Sequence, residues 1–173
     1  MVILIAGGTH TGKTSFAQRL LAEYNIPYLS IDHVKMGLMR SGYCSLTPGS
    51  PHSELTQYLW PVISEIAKTA IENEQNLIIE GCYIPFDYKD SLDAHYLQHI
   101  KYICLIFSEK YIREYYSSIV QYSNQIEKRV NDSYLSKHAL LEENRANLRE
   151  CQLRGLEYVL IDDKYEIKWS PFA

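Results

Sequence analysis

Gly7-Gly8-Thr9-His10-Thr11-Gly12-Lys13-Thr14 sets two glycines ahead of a lysine–threonine pair at the spacing G-x-x-x-x-G-K-[ST]. Immediately before it, Val2-Ile3-Leu4-Ile5-Ala6 is an apolar run rich in β-branched residues, the pattern of a strand buried on both faces. Immediately after it, Phe16, Ala17, Leu20 and Leu21 recur at helical spacing. A glycine turn between strand and helix aims successive backbone N–H groups into one concavity, and the helix N-terminus adds partial positive charge there. Gly7, Gly8, Thr9, His10, Thr11, Gly12 and Ser15 would supply the lining of this nucleotide-phosphate cradle. Lys13 would reach the β- and γ-phosphates as a point charge, and the Thr14 hydroxyl would bind Mg²⁺.

The chain around this loop is that of an ordinary globular domain. Its 173 residues, 46% hydrophobic and 22% charged, suit a single domain over 1–173. A domain of about 150 residues already buries about 70% of its unfolded surface. A formal charge of −4 argues against a nucleic-acid partner, so any phosphate site must be made by a few placed cations. Cys44, Cys82, Cys104 and Cys151 form no C-x-x-C pair, which fits reduced thiols in a cytoplasmic protein. The apolar N-terminus lacks the basic flank and cleavage site of a secretory signal. No run approaches the ~18 apolar residues of a membrane span, so no membrane partner is expected.

Five apolar segments read as strands: Val2–Ala6, Tyr28–Ile31, Asn76–Ile79, Tyr102–Phe107 and Tyr158–Ile161. Helical patterns separate them, the signature of a parallel α/β sheet. A short helix is expected over His33–Met39, followed by a mobile loop at 41–53 containing two glycines, two prolines and four serines. Apolar residues from Leu55 to Ile71 predict an amphipathic helix over Glu54–Glu74, with a kink or late start at Pro61. Residues 82–98 read as irregular. Ser108 is the expected N-cap of a helix to Tyr122, and a last helix runs from about Lys137 to Arg154 with Gly155 beyond it.

Asp32 follows the second strand at the edge where open α/β sheets bind ligands. It reads as a base for a substrate hydroxyl or as a ligand of Mg²⁺ through water, and it equally suits the N-cap of the next helix. Glu80 ends the third strand and is placed to orient Mg²⁺ or to contact substrate. Arg40 is a candidate clamp for an anionic group of the acceptor, with Lys35 beside it. Arg113, near the nucleotide, and Lys128 and Arg129, in a lid at about 122–136, would neutralise charge on the transferring group. Arg145 and Arg149 read as surface partners of Glu142 and Glu150. His33, His52, His95, His99 and His138 lack metal-ligand spacing and read as structural or solvated.

Gly7–Thr14, Asp32 with His33-Val34-Lys35-Met36-Gly37-Leu38-Met39-Arg40, and Ile78-Ile79-Glu80-Gly81 together resemble the small-molecule P-loop kinases. The resemblance is to the group that includes 2-phosphoglycerate-kinase-like and zeta-toxin-like phosphotransferases. It covers about a quarter of the chain. It implies a five-stranded parallel sheet of order 2-3-1-4-5 flanked by helices, ATP with Mg²⁺, a small-molecule acceptor bound near 33–60, and a lid after the fourth strand. Nucleoside monophosphate kinases, the alternative, carry Asp-Gly-(Phe/Tyr)-Pro-Arg where this chain has Glu80-Gly81-Cys82. A nucleotide-binding regulator or ATPase without an acceptor is the second alternative. A phosphate acceptor is already anionic and needs no base, so Asp32 favours a hydroxyl acceptor.

Overall fold

In the computed structural model, which describes residues 1–122 and 136–172, the alternating patterns form an α/β fold. The order is β1 Val2–Gly7, α1 Lys13–Tyr24, β2 Tyr28–Ser30, α2 Ile31–Arg40, α3 His52–Glu72, β3 Leu77–Glu80, α4 Ala94–Leu97, β4 Ile100–Phe107, α5 Glu109–Tyr122, α6 Lys137–Arg154 and β5 Tyr158–Ile161. All four strand pairings are parallel, in the order β2-β3-β1-β4-β5. Ile5 and Ser30 both pair with Glu80, and Gly7 pairs with Leu105, so the strands end along one carboxyl edge.

The central strand explains its own composition. Val2, Leu4 and Ala6 pack on one face with Leu55, Leu59, Ile63 and Ala67 of α3 and Cys151 of α6. Ile3 and Ile5 pack on the other with Phe16, Ala17 and Leu20 of α1 and Ile112 and Ile119 of α5. A strand covered on both faces has no solvent side to make polar. Each fully buried Leu or Ile contributes about 1.5–3 kcal/mol.

Several boundaries differ from the sequence reading. β2 ends at Ser30, and α2 starts at Ile31, so Asp32 lies in the first helical turn rather than at the strand end or the cap. The N-terminal field of that helix favours a carboxylate there. α3 starts at His52, earlier than expected, and carries Pro61 in its interior. An interior proline costs about 3 kcal/mol. The buried face of Leu55, Leu59, Trp60, Ile63, Ala67 and Ile71 outweighs that cost. Stretch 82–98 is less irregular than expected, with a 3₁₀ turn at Tyr88–Ser91 before α4. β4 starts two residues early, at Ile100, and α5 is broken at Tyr115. The C-terminal segment docks through Trp169, whose ring meets Phe16 edge-on at 6.0 Å and whose Nε1 donates to Glu157 at 2.7 Å.

Ser108 accepts from Tyr111 N at 2.9 Å, and Ser136 caps α6 by accepting from Ala139 N at 3.0 Å. Deeper in α6, the buried Asn144 accepts from Phe107 N and donates to Leu140 O, both at 2.8 Å. That amide ties the helix to the end of β4. Replacing Asn144 with Ala leaves the Phe107 N–H without its partner and is expected to cost about 1–3 kcal/mol in a denaturant titration. An unchanged midpoint would remove this role.

Candidate active site

The glycine loop is held in a shape that other residues resist. Gly7 has φ +140°, and a Cβ there would lie 2.4 Å from Leu105 O. Gly12 has φ +82°, and a Cβ would lie 1.8 Å from the Tyr165 hydroxyl, which itself donates to Thr11 O at 3.1 Å. Thr11 Oγ1 and Lys13 Nζ both donate to Gly8 O at 2.8 Å. Thr14 Oγ1, in the first turn of α1, donates to Glu80 Oε1 at 3.1 Å.

The loop already takes an anion from its own chain. Thr9 N donates to both carboxylate oxygens of Glu143 at 3.0 Å, and Thr9 Oγ1 lies 3.4 Å from Oε1. One turn along α6, Asn147 accepts from Gly8 N at 3.0 Å when its amide is oriented to satisfy both neighbours. A carboxylate seated on these N–H groups is direct evidence that the nest suits anionic oxygens.

The charges interlock. Burial lowers the Lys13 ammonium, but Cys82, Glu80 and Glu143 raise it further, so it stays charged above the ordinary lysine range. Burial pushes Glu80 above the usual carboxylate range, against the opposing pull of Lys13 and Thr14. The Ser30 hydroxyl is buried close by with no hydrogen-bond partner. Burial likewise raises the Cys82 thiol. Thr14 and Glu80 form an all-oxygen pair, with Asp32 within electrostatic reach of Glu80. Such hard donors fit Mg²⁺, which commonly takes one or two carboxylates and completes its shell with phosphate oxygens and water. Among the described residues no cluster of three or more His, Cys, Asp or Glu would cage a metal alone.

Two cavities flank the loop. One, of about 840 Å³, lies among α3, residues 82–87 and α6, and includes Gly7, His52, Trp60, Cys82, Phe86 and Glu143 in its lining. The other, of about 370 Å³, is lined by His10, Gly12, Ser15, Phe107, Tyr111 and Tyr165 among others. Phe107 and Tyr111 stack at 5.0 Å, giving the smaller cavity an aromatic wall.

Asp32 forms an ion pair with Lys35. Lys35 also donates to the Tyr83 hydroxyl at 3.2 Å, and the Tyr83 ring stacks on His52 at 5.1 Å. Asp32 lines neither cavity, but this chain of contacts links it to His52 in the wall of the larger one, and its charge reaches Cys82 there. The structure therefore gathers Lys13, Thr14, Asp32 and Glu80 around the loop. Arg40 ends α2 exposed and is absent from the lining of both cavities. Arg113 is exposed on α5, 3.6 Å from Glu109, and also lines neither. Lys128 and Arg129 lie outside the described residues. Arg145 pairs with Glu142 at 2.9 Å and with Glu109 at 2.6 Å. Glu143, Asn147, His52, Trp60 and Tyr165 were not singled out by the sequence for this site. A helical glutamate or tyrosine carries no local mark of which neighbour it will meet.

The fold, a parallel sheet of order β2-β3-β1-β4-β5 with a glycine loop after its central strand, is shared with solved structures of several kinases. Shikimate kinase from Bacteroides thetaiotaomicron superposes with a TM-score of 0.57 at 13% identity, covering 98% of this chain and 89% of that one. A sugar kinase from Janibacter sp. HTCC2649 gives 0.55 at 16% identity, covering 93% and 84%. Deoxyadenosine kinase from M. mycoides gives 0.52 at 12% identity, covering 98% and 93%. At the level of sequence, no family model and no curated protein matches the chain. Among the described residues no helix is long and apolar enough to cross a membrane.

A metal-binding carboxylate must be deprotonated. Because burial raises Glu80, Mg-dependent nucleotide affinity is expected to fall as pH drops through the mildly acidic range. Glu80→Gln, neutral at every pH, should flatten that part of the calorimetric profile. Identical wild-type and E80Q profiles would take Glu80 out of metal binding.

Proposed function

We propose that the protein transfers the γ-phosphoryl group of ATP to a hydroxyl of a small molecule. The reading is carried by one observation: a phosphate loop, with buried Lys13 and the Thr14–Glu80 pair, whose Gly7 lines the larger cavity while His10, Gly12 and Ser15 line the smaller. The smaller cavity is the nucleoside side, and its stacked Phe107 and Tyr111 suit a flat base. The larger is the acceptor side.

Lys13 and the loop N–H groups hold the transferring phosphoryl oxygens and offset charge that grows there. Thr14 and Glu80 are the residues that would hold Mg²⁺, which supplies further charge neutralisation when bound. Asp32, oriented by Lys35, takes the proton of the acceptor hydroxyl as its oxygen bonds to the γ-phosphorus and the bond to the β–γ bridging oxygen breaks. The walls of α3 and α6 align the acceptor for in-line attack and exclude water.

A monophosphate acceptor is less well supported. It calls for guanidinium clamps. Among the described residues, the one arginine in the larger cavity's lining, Arg154, donates to Glu150 at 3.0 Å. A regulator or ATPase with no acceptor gives no use to Asp32.

Lys13→Ala is expected to abolish Mg-ATP binding by calorimetry; retained affinity would end the nucleotide reading. Asp32→Asn is expected to lower kcat by about 10²–10⁴ while sparing ATP affinity, the range of a general base. A kinetic screen with labelled ATP checks this, and an unaltered kcat would remove Asp32 from catalysis.

A further inference from the structure

Resting on the phosphotransfer reading above, we infer that the acceptor is a cationic alcohol, an amino sugar or aminocyclitol, whose ammonium is read by Glu143 at the edge of the phosphate loop. Among the described residues, the charged lining of the larger cavity consists of Asp87, Glu143, Glu150 and Arg154. Arg154 is bonded to Glu150, so in this described lining three carboxylates face one guanidinium. An acceptor bearing a carboxylate or phosphate would enter against like charge, whereas an amine enters with it.

Glu143 sits where the difference matters most. It lines the cavity and is simultaneously bonded to Thr9 N at the start of the loop. A phosphoryl group on the loop and the Glu143 carboxylate are two anions in adjoining seats, and they repel. Lys13 responds to Glu143 but is buried and bonded to Gly8 O, on the loop side of that seam. An acceptor ammonium lying between carboxylate and phosphate satisfies both. Acceptor and nucleotide then tighten one another reciprocally. The rest of the cavity fits the body of such a molecule. Trp60 and Phe86 offer apolar faces for a ring, the Trp60 indole is held by its 2.8 Å bond to Ser91 Oγ, and Gln57, Thr56 and Ser53 offer partners for hydroxyls.

Two measurements test this. Glu143→Gln keeps an acceptor oxygen for Thr9 and removes only the charge. Without any acceptor present, it is expected to bind Mg-ATP more tightly than wild type by calorimetry, on the order of tenfold, within the usual span of coupling between sites. Glu142→Gln, on the neighbouring surface position, should leave that affinity unchanged. Secondly, labelled ATP is offered with matched probes: glucosamine, glucose and glucuronate, and an aminocyclitol, inositol and a cyclitol carboxylate. Transfer to the amine members, with the preference erased in E143Q, is the expected result. Transfer that prefers the neutral or carboxylate members overturns the cationic acceptor and leaves the kinase standing. Unchanged Mg-ATP affinity in E143Q overturns the role of Glu143. Failure of wild type to bind Mg-ATP at all overturns the kinase reading itself.

Discussion

Lys13 is buried, 8% exposed, yet remains a cation beneath the glycine loop. Taking an ammonium out of water costs several kcal/mol unless opposite charge and hydrogen bonds compensate. Compensation here comes from three separate parts of the chain. Gly8 O accepts its hydrogen bond from the loop, Glu80 contributes charge from the end of β3, and Glu143 contributes it from α6. The parallel register that pairs Ile5 with Glu80 fixes the second of these. Asn144, bonded to the end of β4, fixes the third. Loop, sheet edge and last helix are therefore one electrostatic unit, and moving any of them strands a buried charge.

The same requirement explains why the loop divides two unlike cavities. Its backbone must pass close to β4 at Gly7 and beneath Tyr165 at Gly12, which leaves no room for side chains at either point. On the Tyr165 side the walls are aromatic. On the Glu143 side they combine aromatic faces with carboxylates and amides. A base that stacks and a polar molecule that is read group by group call for those different linings.

What the sequence made legible was what depends on neighbours close along the chain. The loop spacing, the continuous apolar run of β1 and the caps at Ser108 and Gly155 are local signals, and the sheet order follows from the class they indicate. Asp32 and Glu80 could be placed beside strand ends, although Asp32 belongs to the first turn of a helix. Propensity failed at Pro61, where the buried stripe of α3 decides the outcome. Glu143 was not legible at all. Glu142 next to it pairs with Arg145 at the surface, and nothing in the pattern of α6 separates the two. The Asn144 tether, a contact across 37 positions, helps fix the helix with Glu143 facing the loop. Residue identities in this cavity arise from four segments distant in the chain, which periodicity cannot bring together.

The seating of Glu143 also bears on how a chain of net charge −4 handles a polyanion. In the free protein the Thr9 N–H needs an acceptor, and a tethered carboxylate meets that need at little further entropic cost. A nucleotide that claims the same donor replaces one anion by another, so the hydrogen bond is exchanged rather than gained. What is not exchanged, Lys13 and the remaining N–H groups, then decides how strongly the loop favours one anion over another.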